Sequence, residues 1–205
     1  PATRRLCTLL TQWPRQAIVS WLRQQLSPLQ ALQSTAQPQV HAKRNKQVSA
    51  FAQEARLPAF FVSADFAAVG LFDESYPALL KNIPDPLLVL FCVGNLSALK
   101  DCCVAVVGAR KCTTAGRTVA NTITTELAAS GLTIVSGLAL GIDAAAHRGA
   151  LSANAGRTVA VLGAGFAHLY PRQHRRLAMS ILTAGGLLVS EYPSAMPPRP
   201  YQFPE

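Results

Sequence analysis

The chain has 205 residues, with 19 Lys+Arg against 10 Asp+Glu, a net charge of +9 and a pI near 9.8. Half of the residues are hydrophobic (50%), enough for a sizeable core in one or two domains, and no run of 18 apolar residues or long apolar leader occurs, so neither a membrane span nor a signal peptide is expected. The five cysteines (Cys7, Cys92, Cys102, Cys103 and Cys112) contain no C-x-x-C pair, so reduced thiols in the cytoplasm are expected, with no metal site.

Residues 1–62 have a helical texture rich in Gln, Ser and Thr. Segments 17–22 and 26–32 read as short amphipathic helices. A third, led by Lys43-Arg44-Asn45-Lys46, carries Val48, Phe51 and Ala55 at helical spacing and stops at Leu57-Pro58. Residues 63–100 read as a linker and lead-in, with turn signals at Tyr76-Pro77 and Pro84-Asp85-Pro86.

From residue 101 a strand–loop–helix design recurs. Residues 104–107 run into Gly108-Ala109-Arg110 and a helix near Ala115. Residues 132–135 run into Ser136, Gly137 and Gly141, and Asp143 opens an Ala-rich helix that carries His147. Residues 158–162 run into Gly163-Ala164-Gly165 and a helix near Pro171. Such repeats predict βαβ units and a parallel sheet. Right-handed crossovers bring successive loops to the same sheet edge, where open α/β sheets hold their ligands.

A small-residue loop at a helix N-terminus gathers backbone N–H groups and the positive end of the helix dipole, which favours an anion, most often phosphate. The dinucleotide fingerprint is not met. Gly108-Ala109-Arg110 lacks the second Gly, the next strand ends in Ser136 instead of an acid, and Gly163-Ala164-Gly165 is followed by His168 at the third Gly position. No Gly-Lys-Ser or Gly-Lys-Thr P-loop and no G-x-S-x-G elbow occurs.

After Asp101 the only acids are Glu126, Asp143, Glu191 and Glu205, so no close carboxylate pair offers acid–base chemistry and no catalytic residue is expected. Glu191 reads as a structural hydrogen-bond partner. Cations flank the loops instead: Arg110, Lys111 and Arg117 at the first, and Arg172, His174, Arg175 and Arg176 after the third. That is the footprint of a phosphate backbone held by counterion release.

Several residues also carry plain structural readings. Asp143 is a favoured helix N-cap that would fix the loop shape. His147, four residues on, lies on the same helix face and reads as a packed, hydrogen-bonded histidine. Tyr170-Pro171 reads as a helix start, since Pro is favoured at the first helical position. Tyr170 or Phe166 would serve as a stacking face for single-stranded bases.

Val104-Ala-Val-Val-Gly-Ala-Arg110, Ser136-Gly-Leu-Ala-Leu-Gly-Ile-Asp143 with His147, Val161-Leu-Gly-Ala-Gly165 with Tyr170-Pro171, Leu188-Val-Ser-Glu-Tyr-Pro193 and Phe203-Pro204 together resemble the DprA/Smf family of bacterial DNA-processing proteins. The resemblance runs from about Phe72 to Glu205. It implies an extended Rossmann-like parallel sheet with helices on both faces over residues 101–205, incomplete at its C-terminal end, after a small helical, SAM-like domain at 1–62. It implies a non-enzymatic, usually dimeric binder of single-stranded DNA. Such a protein protects incoming DNA in natural transformation and loads RecA, without a cofactor.

On this resemblance Arg110 would clamp a phosphate and Gly108 would let the strand approach the loop backbone. Lys111, Ser136, Gly137, Gly141, Gly163 and Gly165 would complete the loops, and Arg172 would make a second phosphate contact. Departures are Ala109 for a frequent Ser or Thr, Leu140 for a frequent Arg, and His174 for a frequent Asn. The alternatives are a small-nucleotide binder or nucleotide hydrolase on a related sheet, whose Pro-Gly-Gly-x-Gly-Thr motif is absent, and a scaffold with an idle phosphate pocket.

Overall fold

The computed structural model describes residues 65–203. The N-terminal helices expected within 1–62 lie outside the described residues. In chain order the elements are β1 (Phe66–Gly70), the short helix α1 (Ala78–Lys81), β2 (Val89–Gly94), a 3-10 turn (Leu96–Lys100), β3 (Cys103–Ala105), α2 (Thr114–Ala129), β4 (Thr133–Ser136), α3 (Ile142–Ser152), β5 (Thr158–Leu162), 3-10 turns at Phe166–His168 and Arg172–His174, α4 (Arg175–Thr183), β6 (Leu187–Ser190) and a 3-10 turn at Pro200–Gln202.

The six strands form one sheet in the order β1-β2-β6-β5-β4-β3. From β3 to β6 the pairing is parallel, with Val104 opposite Ile134, Val135 opposite Val159 and Ala160 opposite Leu188. β2 then runs antiparallel to β6, and β1 antiparallel to β2. The parallel sheet expected over residues 101–205 is present as β3–β6, and two antiparallel strands from the preceding segment extend it into a mixed sheet. The antiparallel strands come from residues 63–100, where Phe91 faces Ser190 across the β2–β6 pair. Val89-Leu-Phe-Cys-Val93 is an unbroken apolar run of strand length, the residue pattern of a strand buried on both faces.

Each step from β3 through β6 moves one strand in the same direction. With right-handed crossovers, α2, α3 and α4 therefore share one face. Their side of the core joins Val93, Leu138, Ala160, Phe166, Ile181 and Leu188, with Phe66 set edge-on against Phe166 at 6.2 Å between ring centroids. The other face gathers Tyr76, Leu90, Cys92, Ala98 and Leu187, with Leu80 of α1 and Leu96 and Leu99 of the 3-10 turn against them. Helices thus lie on both faces. Cys92 is sealed in this second cluster, and burial pushes its thiol up to about 12.

Local signals set the helix ends. Thr113 caps α2 by accepting the Gly116 N–H at 3.0 Å, and Gly131 follows α2 at φ +83, the left-handed residue that closes helices. α2 and α3 meet across small residues. Thr125 Oγ1 of α2 donates to the Gly149 carbonyl of α3 at 2.9 Å, and a Cβ at Gly149 would run into Thr124 Oγ1 and the Asn121 carbonyl.

Gly149→Ala sets about 1 kcal/mol of helix propensity against about 1–3 kcal/mol of overpacking. The backbone carbonyl in the way makes packing the larger effect, so the variant is expected to unfold at a lower urea midpoint. An unchanged or higher midpoint would contradict this account of the α2–α3 contact.

Candidate functional site

The loops that follow β3, β4 and β5 emerge at one edge of the sheet, and buried polar groups bind the first two together. Beyond β3 the ladder continues from the Val106 N–H to the Val135 carbonyl at 2.9 Å, and Ser136 Oγ donates to the Val106 carbonyl at 2.7 Å. Asp143 sits in the first turn of α3, 5% exposed. Its Oδ1 accepts the Gly108 N–H at 3.3 Å and its Oδ2 the Gly137 N–H at 3.1 Å.

One carboxylate therefore holds a backbone donor from each loop, beside the positive end of the α3 dipole. Two N–H groups and a helix N-terminus are what a buried carboxylate needs to remain charged at low cost. Asp143 does fix the loop shape, but it is not the N-cap. That place belongs to Gly141 at φ +80, with no side-chain cap. A Cβ on Gly141 would collide with the Ala109 and Arg110 carbonyls, and the Ile142 N–H donates to the Ala109 carbonyl at 3.3 Å. Loop one therefore rests directly on the start of α3.

The remaining loop glycines also serve close packing. A Cβ on Gly108 would lie 2.8 Å from Ile142, and one on Gly163 2.7 Å from the Phe203 ring. One on Gly165 would meet the Pro193 and Ser194 carbonyls. Ile142 fills the side of Gly108 where a Cβ would stand, and the Gly108 backbone itself is exposed.

Two buried histidines brace loop two. His174 Nδ1 bonds the Leu138 carbonyl at 2.7 Å, and Leu138 is fully buried at φ +56. His174 therefore leaves the cation cluster in which the sequence places it, because its ring faces inward. His147 Nδ1 lies 2.8 Å from Thr158 Oγ1, whose hydroxyl donates to the Ile134 carbonyl at 2.6 Å. Nδ1 is accordingly the donor, and among the described residues Nε2 has no hydrogen-bond partner. His147 is the packed, hydrogen-bonded histidine expected from the sequence. Burial pushes it down to about 3, the nearby His174 adds to the drop, and the Ser136 carbonyl offsets only part of it.

The outer surface is cationic and aromatic. Arg110 and Lys111 are exposed at loop one, and the Arg110 guanidinium lies 5.7 Å from the centre of the Phe203 ring. Phe203 in turn touches Tyr170, with ring centroids 5.6 Å apart. Tyr170 is 52% exposed, whereas Phe166 is fully buried and offers no stacking face. His168, Tyr170, Arg172, Arg175 and Pro198 are among the residues lining a cleft of about 400 Å³.

Pro171 is buried and precedes the 3-10 turn Arg172–His174, so α4 starts at Arg175, later than the helix start read at Tyr170-Pro171. Beyond β6, burial and a hydrogen bond to Glu191 push the Tyr192 phenol up to about 12. Among the described residues no carboxylate lies within ion-pair distance of Arg110, Lys111 or Arg172; the ion pair that does form, Arg157–Asp101 at 3.1 Å, precedes β3 and β5 at their N-terminal ends.

The sequence pointed to Arg110, Lys111 and Arg172 through their position after the loops. It gave no sign that Phe203 bridges Arg110 and Tyr170, because that contact joins segments far apart in the chain.

Comparison with known proteins places this arrangement. Residues 67–205 match the model of the family described as DNA recombination-mediator protein A. The chain belongs to this family. Among its relatives, Protein Smf of Escherichia coli K12 is 46% identical over 131 residues, which is 64% of this chain and 35% of the relative. DNA processing protein DprA of Bacillus subtilis 168 is 34% identical over 176 residues, 84% of this chain and 59% of that protein. The chain thus spans from about a third to three-fifths of these relatives.

The crystal structure of DprA from Streptococcus pneumoniae superposes with a TM-score of 0.62 at 31% identity, over 94% of this chain and 68% of that one. DprA from Helicobacter pylori, whose structure is described for its single-stranded DNA binding mode, gives 0.58 at 28% identity, over 69% of this chain and 62% of that one. The DprA/Smf resemblance and the Rossmann-like α/β fold are thereby established. Among the described residues no helix is long and apolar enough to cross a membrane.

The buried histidine makes a pH prediction for the site. In the unfolded chain His147 binds a proton near its ordinary 6.5, and in the folded chain only near 3. Between those values the unfolded state holds the extra proton. Its stabilising effect is therefore full above 6.5 and is lost as pH falls toward 3, at up to about 1.4 kcal/mol per pH unit. Urea midpoints from pH 7 to pH 4 should fall steeply for the wild type and less steeply for His147→Gln. Equal slopes would show that another group carries the acid sensitivity.

Proposed function

We propose that the chain binds single-stranded DNA along the edge where its glycine loops emerge. On this reading Arg110, Lys111 and Arg172 hold the phosphates. Gly108, Ser136, Gly137, Gly141, Gly163 and Gly165 form the ledge beneath the strand, and Asp143, His147, Tyr170 and Pro171 keep that ledge in shape. Tyr170 is the aromatic face open to a base. The observation that carries the reading is the exposure, without ion pairs among the described residues, of three cations from two loops at one sheet edge. The single-stranded DNA binding described for the Helicobacter pylori relative supports it.

The family is described as DNA recombination-mediator protein A. We extend the proposal accordingly: in the cytoplasm, as a homodimer and without enzymatic activity, the protein protects incoming DNA in natural transformation and loads RecA onto it.

Labelled oligo-dT binding, followed by fluorescence anisotropy across a salt series, tests the DNA site. For single strands the slope of log K against log salt changes by about 0.7 per phosphate contact. Arg110→Ala and Arg172→Ala should each bind more weakly at low salt and each flatten the slope by about that amount. Salt-insensitive binding, or two variants indistinguishable from the wild type, would place the site elsewhere.

A further inference from the structure

We infer that Asp143 is a specificity-determining residue of this edge: its carboxylate occupies the place where a small phosphate would bind, and so reserves the edge for a polymer held by arginine side chains. The inference rests on the single-stranded DNA reading and says how that site excludes mononucleotides.

In open α/β sheets a nucleotide phosphate is taken by loop N–H groups at a helix N-terminus. α3 has that terminus, and the loops on either side of it supply the Gly108 and Gly137 N–H groups. Both donate to Asp143, at 3.3 Å and 3.1 Å. The carboxylate is nearly inaccessible to solvent, so an incoming phosphate meets neither donor. A Cβ at Gly137 would lie 2.8 Å from Asp143 Oδ2. Loop two therefore needs a glycine at this position to close on the carboxylate.

The buried negative charge also repels any anion that approaches the helix terminus. A phosphate is left to the outer side of the loops, where Arg110 and Lys111 project. The same two hydrogen bonds set the separation of loops one and two, and with it the point from which Arg110 leaves the backbone. Asp143 acts on DNA through that placement and not by contact.

Asp143→Ala and the nearly isosteric Asp143→Asn separate these roles. Folding is checked by circular dichroism. Inorganic phosphate and AMP are each titrated while thermal stability is read, since a ligand that binds the folded state raises the midpoint. Oligo-dT affinity is measured on the same samples. In the wild type neither small anion should move the midpoint. Asp143→Ala should be less stable, regain stability with phosphate or AMP, and bind oligo-dT about tenfold more weakly, a change of about 1.4 kcal/mol. Asp143→Asn keeps one acceptor for the two donors and should fall between the two.

If Asp143→Ala fails to fold, the same readings on Asp143→Asn decide the matter. A folded variant that ignores phosphate and AMP and binds oligo-dT like the wild type overturns the inference, as does a wild type stabilised by AMP. Failure of the wild type to bind oligo-dT would remove the DNA reading alone, because the gain of phosphate binding on removing Asp143 is read independently of DNA.

Discussion

The Asp143 carboxylate, taking one backbone N–H from the loop after β3 and one from the loop after β4, is the joint on which the functional edge depends. Parallel strands linked by right-handed crossovers deliver their loops to one side, but that alone leaves each loop free to choose its own path. The shared carboxylate removes this freedom. Gly141, held at positive φ against the Ala109 and Arg110 carbonyls, and His174, bonded to the Leu138 carbonyl, then fix loop two from both ends.

Charge is divided between two levels of this edge. Below the surface the polar groups bond internally: Asp143 with loop donors, Ser136 with the Val106 carbonyl, and His147 Nδ1 with Thr158. At the surface Arg110, Lys111 and Arg172 stand without carboxylate partners among the described residues. Phe203 links Arg110 to Tyr170, so cationic and aromatic groups run continuously from loop one toward the cleft at Arg172. Attraction to a polyanion is strong when cations are not already paired, and it is correspondingly sensitive to salt. A floor whose donors are taken internally, beneath a rim of exposed cations, suits the proposed ligand, a chain of phosphates rather than one terminal phosphate.

Much of this could be read from the residues. β5 falls on Thr158–Leu162, the run that leads into Gly163-Ala164-Gly165, and β4 at Thr133–Ser136 is displaced by a single residue from its expected span. The loops were legible because Gly and Ser punctuate them. β1 and β2 were not read as strands, since the turn signals at Pro77, Pro84 and Pro86 made residues 63–100 look like a lead-in. β2 joins the sheet through β6, about a hundred residues away, and β1 only through β2, so local pattern carries no trace of the pairing with β6. His174 and Phe166 were misjudged for one shared reason. Sequence shows that a residue type suits a ligand but not which way it faces, and both rings point into the core. Asp143 was understood as a loop organiser but credited to the wrong geometry, because a bond to two distant N–H groups leaves no mark in local spacing.

Backbone hydrogen–deuterium exchange of the chain with and without oligo-dT tests most directly whether this loop edge is the DNA-binding face. The account predicts new protection confined to residues 108–111, 137–141 and 163–172, with the opposite sheet edge around Asp101 and Arg157 unchanged. Protection centred on Asp101 and Arg157, or bound DNA that leaves all three loops unprotected, would contradict it.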